Sequence, residues 1–371
     1  MTDAAPRLRV LMTTDAVGGV WTYALHLARG LAARGVATHM AVTGPMPSAA
    51  QVAQARRIPA LTLHDAGVPL DWMASDADEV RAAGDTLGKM ARSLDVGLVH
   101  LNSPAYASCG AFSAPVLGVT HSCLATWWAA VHGGPMPRDF AWRSALVREG
   151  LLACDALVAP TRAHAAATAA AHALPRMPVG IHNGGDAPSR AQEPALDVVF
   201  TAGRLWDAGK NIAALDRVAQ HLPFPVQAAG PLRGPEGSEV RLAHVTSLGT
   251  LDGSAMRTIL RGTPLYAAPA LYEPFGLAVL EAAQSGCALC LSDIPTFREL
   301  WDGAAIFLDW SNEQGAACTI RDLMGDPLQR SRFGEAARHR ASGYSLAAMA
   351  DATIAEYRSL LAHAGERASA A

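Results

Sequence analysis

The sequence predicts an α/β protein built from two doubly wound, Rossmann-like units. Short apolar segments of strand length alternate with helical segments along most of the 371 residues, a pattern typical of parallel sheets with crossover helices. The alternation breaks at GDAPSRAQEPA (185–195), where proline, serine, glycine and charged residues make the best linker candidate. A chain of this length is also too long for a single ordinary hydrophobic core. We therefore expect two domains with a cleft between them and ligands at the carboxyl ends of the strands.

Six predicted strands precede this break. The first, LRVLMTT (8–14), is followed by GGV, which opens a helix that runs through Leu31. An alanine-rich segment from Ala163 to Ala173 is predicted to be another crossover helix. These segments predict a first Rossmann-like domain over 1–185. Its other strands are VATHMAVT (36–43), VGLVHLN (96–102), PVLGVTH (115–121), DALVAPT (155–161) and PVGIHNG (178–184).

The same alternation restarts after the break. A helix is predicted to begin at Asn211, and the final segment from Ser345 to about His363 has the amphipathic pattern of a surface helix. The pattern predicts a second Rossmann-like domain over 186–345. Its strands are DVVFTAG (197–203), PVQAAG (225–230), HVTSLG (244–249), PLYAAPA (264–270), CALCLSD (287–293) and AAIFLD (304–309).

Composition excludes several functional classes. Hydrophobic residues make up 50% of the chain, charged residues 17%, and the formal net charge is −3. This indicates a folded chain whose net charge gives no electrostatic footprint for nucleic acid, although local patches of arginines stay open. The first residues lack the apolar core of a signal peptide, and no apolar run approaches the ~18 residues of a membrane span. We therefore expect a reducing, cytoplasmic location.

The six cysteines are scattered along the chain. Cys287 and Cys290 have CxxC spacing, but they lie in a predicted buried strand. No second CxxC or matching pair of histidines completes a zinc site. We expect them to be buried free thiols.

Two carboxylates, Glu273 and Glu281, stand in the apolar, helix-forming stretch LYEPFGLAVLEAAQSG (271–286). Pro274 disfavours helix at Glu273, so Glu273 is predicted to lie in the loop before a helix and Glu281 more than one turn inside it. Eight residues of helix rise roughly 12 Å, so the two carboxylates would meet the two ends of an extended ligand.

The start of this helix, predicted near Gly276 or Leu277, adds an anion site between the carboxylates. The amides of Phe275, Gly276 and Leu277 lack helical acceptors and attract negative charge. A ligand with hydroxyls at both ends and a charged centre fits this layout, and nucleotide sugars (ribose, diphosphate, hexose) have that shape. A capping carboxylate with a structural salt bridge remains the alternative.

A second cluster, GRLWDAGKN (203–211), follows a predicted strand and holds two cations. Arg204 offers a planar fork for phosphate, and Lys210 offers a compact charge. Lys89 is the only other lysine in this arginine-rich chain, which favours a requirement for lysine at position 210. Two such cations would bind a diphosphate and stabilise charge on a departing phosphate. An ordinary solvated loop remains the alternative.

Two weaker features lie in the first predicted domain. Gly18 and Gly19, after the first strand, would let backbone amides approach a phosphate or a sugar, although a plain tight turn gives the same pattern. His121 ends a predicted strand. Neutral or charged, it could hydrogen-bond a sugar hydroxyl near the reacting carbon, or it could be a core histidine.

Trp127 and Trp128 lead into the glycine- and proline-rich segment VHGGPMPRD (131–139). The stretch is predicted to be a loop that clamps an acceptor, because tryptophan rings stack well on sugar rings. Packing of both tryptophans in the core is the alternative.

Several catalytic motifs are absent from the sequence. There is no Asp-x-Asp at a strand end to hold a metal-bound diphosphate, and no Walker loop, Gly-x-Ser-x-Gly or His-Glu-x-x-His motif. The charge of a diphosphate would then be neutralised by Arg204, Lys210 and helix amides. We expect no metal and no cofactor, with the nucleotide sugar acting as a substrate.

Taken together, these stretches resemble glycosyltransferase family 4, whose members are retaining enzymes of the GT-B fold. The resemblance spans nearly the full length, and its most specific part is Glu273-x7-Glu281 within YEPFGLAVLEA, joined to GRLWDAGK upstream. IHNGGD (181–186) is similar to the segment that closes the family's first domain, and SDIPTFREL (292–300) to the stretch after a late strand. The resemblance implies a GT-B fold, α/β, with two Rossmann-like doubly wound domains facing a cleft and the terminal helix, 346–371, packed back on the first.

The resemblance also implies roles for the matching positions. On the catalytic side it implies His121 beside the transferred sugar, together with Arg204, Lys210 and Glu273. The family mechanism is front-face displacement with retained anomeric configuration, in which a donor phosphate oxygen helps to deprotonate the acceptor hydroxyl. The implied donor contacts are Glu273, Phe275, Gly276 and Leu277 for the hexose, Glu281 for the ribose, Arg204 and Lys210 for the diphosphate, and Gly18 and Gly19 as a covering loop.

The sequence departs from the family pattern at two places. Ser122 follows the strand-end histidine where many members have aspartate, and VATHMAV lacks the usual Gly-His-x-Val start of the second strand. Both departures lie in the first domain, so they bear on the acceptor rather than on the donor.

We therefore expect a retaining, metal-independent hexosyltransferase that uses a nucleoside-diphosphate sugar, with UDP-glucose and GDP-mannose as the leading donors. The acceptor would be a hydroxyl of a sugar, a lipid-linked sugar or a small molecule, and peripheral membrane contact through arginines of the first domain stays open. The alternatives are an epimerase or phosphorylase on the same architecture, and a non-catalytic protein that binds nucleotide sugars.

Overall fold

The computed structural model describes residues 8–186, 195–235 and 237–370, with side chains through residue 366. The chain divides into two compact units. The first comprises 1–129, 133–184 and 346–371, and the second comprises 130–132 and 185–345. Most of the predicted linker, 187–194, lies outside the described residues.

The first unit is built on a parallel sheet of seven strands within the described residues, in the order β3-β2-β1-β4-β5-β6-β7. Met12 of β1, for example, pairs with Met40 on one side and with His100 on the other. The strands are β1 (Arg9–Asp15), β2 (Ala37–Thr43), β3 (Leu61–Asp65), β4 (Leu98–Leu101), β5 (Val116–Val119), β6 (Ala156–Ala159) and β7 (Val179–Gly180).

Within the described residues, seven helices connect or cover these strands. The last of them, α13, comes from the end of the chain and packs on α1: a Cβ at Gly30 would lie 2.6 Å from Cβ of Ala350. Arg34 Nε also donates to the Asp351 carboxylate at 2.5 Å. The helices are α1 (Gly19–Ala32), α2 (Ala49–Ala55), α3 (Ala77–Ser93), α4 (Leu124–Val131), α5 (Arg138–Ala153), α6 (Arg162–Ala171) and α13 (Leu346–Ala370), with a 3₁₀ helix at Pro104–Cys109.

The second unit repeats the same winding on a parallel sheet of six strands in the described residues, in the order β10-β9-β8-β11-β12-β13. Its strands are β8 (Val199–Ala202), β9 (Val226–Ala229), β10 (Thr246–Ser247), β11 (Leu265–Ala268), β12 (Leu289–Ser292) and β13 (Ile306–Leu308). Its helices are α7 (Ile212–Ala219), α8 (Gly253–Arg261), α9 (Leu277–Ser285), α10 (Pro295–Trp301), α11 (Glu313–Gly325) and α12 (Pro327–Ala341), with a 3₁₀ helix at Ala208–Lys210.

The core of the second unit follows from the alternation of side chains along each strand. Phe200, Tyr266 and Leu289 belong to one apolar cluster, and their neighbours along the strands belong to another, so both faces of the sheet are covered. Cys287 and Cys290 are fully buried, one in each cluster, and both are free thiols. The expectation of buried thiols at these two positions is confirmed.

The predicted fold class is confirmed, and each predicted apolar segment contains a strand. One strand, β3, was not predicted. Its sequence LTLHD contains three polar residues, and the strand lies at an edge of the sheet with both faces partly exposed. An edge strand of this kind buries little surface and therefore lacks the apolar run by which the other strands are recognised.

Candidate functional site

Both sheets have a topological switch point, the place where the strand order reverses and where α/β sheets bind ligands. In the second unit the strands on either side of it are β8 and β11. Arg204 and Lys210 follow β8, and Glu273 follows β11. The topology thus brings three of the predicted donor-side residues to the carboxyl ends of the two strands where a ligand is expected.

Lys210 and Glu273 contact each other directly. The Lys210 ammonium donates a hydrogen bond to the Glu273 carboxylate, and the two side chains are 21% and 15% exposed. Asn211, in a left-handed conformation with φ 53°, turns the chain from the 3₁₀ helix of Lys210 into α7. Charged side chains with so little exposure need a partner of opposite charge, and Lys210 and Glu273 are partners for each other.

Arg204 is oriented but remains open to solvent. Its Nη2 donates to Asp207 at 3.0 Å, its guanidinium lies 5.7 Å from the centre of the Trp206 ring, and its side chain is 46% exposed. Asp207 in turn accepts a hydrogen bond from the Gly209 amide at 2.9 Å. A guanidinium held in this way keeps donors available for a further anion.

The start of α9 provides amides for the same anion. The helix begins directly after Gly276, as predicted, and Gly276 has φ 88°, which disfavours any residue with a side chain. A Cβ at this position would lie 3.3 Å from Cγ of Glu273 and 3.3 Å from the Phe297 ring. In the described part of the chain, the amides of Phe275, Gly276 and Leu277 donate to no acceptor.

Glu281 lies inside α9 with its side chain partly buried. Its carboxylate accepts no hydrogen bond from the residues that the structure describes. Burial raises the pKa of Glu281, and the charge of Arg257 opposes this effect. Burial, with the charges of Glu281 and Glu273, also raises the pKa of Tyr266 in β11. A sheltered carboxylate without donors favours a ligand that brings hydroxyls.

In the first unit the switch point lies between β1 and β4. Asp15 ends β1, and its carboxylate accepts hydrogen bonds from the amides of Val17 at 2.8 Å and Gly18 at 3.0 Å. This turn leads into α1, which starts at Gly19. The Gly18 amide is thus already used by Asp15, and the predicted contact of the Gly18–Gly19 loop with a ligand falls to the Gly19 amide.

His121 lies two residues beyond the end of β5. Its Nε2 is 2.8 Å from the Oδ1 atom of Asn102, and its ring stands edge-on to Tyr23 with 4.4 Å between the ring centres. Burial, together with the nearby His100 and His164, lowers the pKa of His121 to about 3. The sequence left its charge open, and in this environment the ring is neutral at physiological pH.

Trp127 and Trp128 correct one prediction. They lie in α4 and not in a loop, because LATWWAAV contains good helix formers and the backbone leaves helix only near Gly133 and Gly134, at φ 63° and 66°. Both rings are partly buried. The centre of the Trp128 ring lies 6.3 Å from that of Trp127 and 5.9 Å from that of Phe140.

Several residues that hold these groups in place were not predicted. Asp15 has a recognisable signal, because aspartate directly after a strand and before glycines favours an Asx turn. Asp207 has a similar position before the 3₁₀ helix. Asn102 and Thr13 gave no signal, because the contact of Asn102 with His121 and that of Thr13 with Asn102 depend on how distant strands pair. Within the described residues no group of three or more His, Cys, Asp or Glu side chains could hold a metal ion.

Comparison with known proteins places these features in a family. The family described as Glycosyltransferase Family 4 matches residues 17–187, and the one described as Glycosyl transferases group 1 matches residues 239–340. The chain belongs to glycosyltransferase family 4. It is a glycosyltransferase, and the matched ranges include Gly18 and His121 in the first unit and both glutamates in the second.

Two curated relatives differ in how much of the chain they cover. The glycogen synthase of Mycobacterium tuberculosis is 27% identical over 97% of this chain and 96% of its own length. A phosphatidyl-myo-inositol mannosyltransferase of Mycolicibacterium smegmatis is 30% identical, but over 45% of this chain and 48% of its own length. The match therefore spans about half the length of the mannosyltransferase.

Solved structures of this glycosyltransferase family's fold are also similar. Sucrose-phosphate synthase of Thermosynechococcus elongatus has a TM-score of 0.77 at 18% identity, covering 96% of this chain and all of that one. HepE of Anabaena, solved with UDP and glucose, has a TM-score of 0.71 at 14% identity, covering 95% and 100%. These likenesses identify a two-domain GT-B fold. None of the helices among the described residues combines the length and apolarity needed to cross a membrane.

Proposed function

We propose that this glycosyltransferase is a retaining hexosyltransferase that takes a hexose from a nucleoside-diphosphate sugar to a hydroxyl of an acceptor. The observation that carries the proposal is the Lys210–Glu273 contact beside the amides at the start of α9, which donate to no acceptor within the described residues. A cation, an anion-binding helix start and a carboxylate together match a diphosphate that is bonded to a sugar.

The donor would separate Lys210 from Glu273. The diphosphate takes the place of the carboxylate beside Lys210, with Arg204 on its exposed side. Glu273 is then free to accept hydrogen bonds from hexose hydroxyls, and Glu281 accepts those of the ribose. HepE, whose structure contains UDP and glucose, supports a uridine nucleotide, while the curated relatives support both glucose and mannose as the hexose.

Transfer would proceed on one face of the sugar. The bond between the anomeric carbon and the phosphate oxygen breaks, and the bond to the acceptor oxygen forms on the same face. The acceptor proton passes to the departing phosphate. Lys210, Arg204 and the α9 amides stabilise the charge that develops on that phosphate. This arrangement requires no side-chain nucleophile and no metal.

A panel of nucleotide sugars tests the proposal. One donor is expected to raise the melting temperature selectively, because a ligand that binds only the folded state stabilises it. With that donor and a panel of sugar and lipid-linked acceptors, proton NMR should show a product with the donor's anomeric configuration, and EDTA should leave the rate unchanged. Inverted product, or full loss of activity on chelation, would contradict the corresponding part of the proposal. Conversion of the donor in the absence of an acceptor would indicate an epimerase instead.

A further inference from the structure

The proton positions around His121 follow from one main-chain carbonyl, that of Thr13 in β1. A carbonyl oxygen can only accept a hydrogen bond, and the Asn102 side chain approaches it through Nδ2 at 2.6 Å. With the amide nitrogen on that side, Asn102 Oδ1 faces the other way. The main-chain amide of Asn102 also donates to the Thr13 hydroxyl at 2.9 Å, so the residue is fixed at two points.

Asn102 Oδ1 is shared by two imidazoles. It lies 3.2 Å from Nε2 of His100 and 2.8 Å from Nε2 of His121. Because the oxygen has no hydrogen to give, each histidine must donate from its Nε2. A neutral imidazole carries one N–H, so the Nδ1 of each ring is left as an acceptor.

The Nδ1 of His100 is occupied by the terminal helix. The Tyr357 hydroxyl lies 2.7 Å from it, and both side chains are fully buried. Burial raises the pKa of Tyr357 and lowers that of His100 to about 4. Tyr357 therefore keeps its proton and donates it, which agrees with the tautomer that Asn102 imposes.

The Nδ1 of His121 receives no hydrogen bond from the described residues, and the ring is partly exposed. The titratable groups that face this ring are His100 from β4, His164 from α6 and Tyr23 from α1. Burial lowers the pKa of His164 to about 4 and raises that of Tyr23, so all three are neutral at physiological pH. The surroundings of His121 thus contribute no charge that would attract an anion.

We propose that Asn102 is a positioning residue that holds His121 in the Nε2–H tautomer, so that His121 recognises a sugar hydroxyl through a bare Nδ1. This rests on the proposed function and on the expectation, implied by the family resemblance, that His121 lies beside the transferred sugar. A hydroxyl donates to Nδ1, whereas a carboxylate or phosphate oxygen at the same place would set one lone pair against another. The site therefore selects a neutral hexose over a uronic acid or a phosphorylated sugar at this position.

Imidazole nitrogen NMR on the whole chain tests the tautomer directly. The His121 signal is assigned by its disappearance in His121→Gln. In the wild type we expect a protonated Nε2 and an unprotonated Nδ1 between pH 6 and 8, an interval set by the experiment and lying above the pKa of about 3. A proton on Nδ1 would overturn the proposal, whatever sugar the enzyme transfers.

Substrate selectivity tests the consequence. With the nucleotide hexose that gives turnover as reference, the matching nucleotide hexuronate should have a kcat/KM at least ~10²-fold lower. The hydrogen bond from the sugar hydroxyl to Nδ1 is lost, and a carboxylate oxygen meets the Nδ1 lone pair instead. Asn102→Asp places a carboxylate against His121 and raises its pKa, so Nδ1 gains a proton at a higher pH than in the wild type. At the acid end of the range in which the enzyme turns over, the preference should then fall by about tenfold or more in this variant. Equal preference in Asn102→Asp and wild type, with the variant folded, would refute the role of Asn102.

Tyr357→Phe is the matched control. It removes a buried hydroxyl from the same network but leaves the bond from His121 to Asn102, so tautomer and selectivity should both stay unchanged even if stability falls. A shift in selectivity in this control would mean that packing, rather than the tautomer, sets the preference, and would also overturn the proposal. If Asn102→Asp does not fold, the wild-type tautomer and the comparison of hexose with hexuronate decide whether the proposal holds. If no nucleotide hexose is turned over but the tautomer is as expected, the proposed function is refuted. The assignment of protons around His121 then still stands.

Discussion

At the scale of single residues, Lys210 has the most direct part in the proposed chemistry. Lys210→Ala removes the cation beside Glu273 and is expected to lower kcat by ~10²- to 10³-fold, because a group that stabilises the departing phosphate acts in the transition state. The measurement is steady-state turnover of the donor with its acceptor. Lys89→Ala, at an exposed position on α3, is the matched control and should be silent. Wild-type rates in Lys210→Ala would remove this residue from the mechanism.

Glu281 is expected to lower the stability of the folded protein at neutral pH, although it supports binding of the donor. Because burial raises its pKa in the folded protein, its contribution to stability is complete below its ordinary pKa and is lost as pH rises through the folded value. Glu281→Gln should therefore raise the melting temperature at neutral pH, and this gain should disappear in acid below the ordinary pKa of glutamate.

The same variant should bind the donor less well. Ribose contacts serve ground state and transition state alike, so KM for the donor should rise more than kcat falls. The two readouts are a thermal melt at several pH values and donor kinetics, with Glu335→Gln on an exposed position of α12 as control. An unchanged KM would mean that Glu281 does not meet the donor.

At the scale of elements, the start of α9 depends on one backbone conformation. Gly276→Ala puts a side chain at φ 88° and within 3.3 Å of Glu273, so it should destabilise the protein by about 1–3 kcal/mol and weaken donor binding. Chemical denaturation and donor titration measure the two effects. Gly325→Ala, at the end of α11 with no atom near its Cβ, should be neutral or slightly stabilising. Equal behaviour of the two variants would show that the turn at Gly276 is not needed.

Elements that bury an apolar run could be predicted from the sequence. Apart from one edge strand, the strands of both sheets and the start of α9 follow from local patterns of apolar residues, proline and glycine. The edge strand β3 could not be predicted, because it buries too little apolar surface to require an apolar run in its sequence. The helix around Trp127 could have been predicted, since the stretch before Gly133 contains good helix formers. The two adjacent tryptophans suggested a binding loop instead.

The residues of the candidate site also differ in whether a local sequence pattern reveals them. Arg204, Lys210 and Glu273 could be identified because each lies in a local motif next to a strand end. The setting of His121 could not, because its partner Asn102 follows a distant strand, and the network continues through His100 to Tyr357 near the end of the chain. Contacts over 257 positions, as between His100 and Tyr357, leave no local trace.

At the scale of the whole molecule, the terminal helix α13 belongs to the core of the first unit. Ala350 and Tyr357 are fully buried, and Leu360 is 5% exposed. Each large side chain of this kind contributes about 1.5–3 kcal/mol through burial. A chain that ends at Ser345 should therefore lose the unfolding transition of the first unit, as seen by calorimetry.

A chain that ends at Ala364 is the control for this truncation. It keeps Tyr357 and Leu360 and should melt like the full-length protein. If the chain that ends at Ser345 kept the same transition, α13 would not be part of that core.

The position of Tyr357 also affects how the protein is made. Apart from 130–132, the second unit consists of one continuous stretch, 185–345, and can fold as it leaves the ribosome. The first unit, although translated first, must wait for the last residues before its polar core is complete. The buried contact between Tyr357 and His100 therefore forms only after the second unit has been translated, and a product truncated before Tyr357 would carry the donor motifs beside a first unit with an incomplete core.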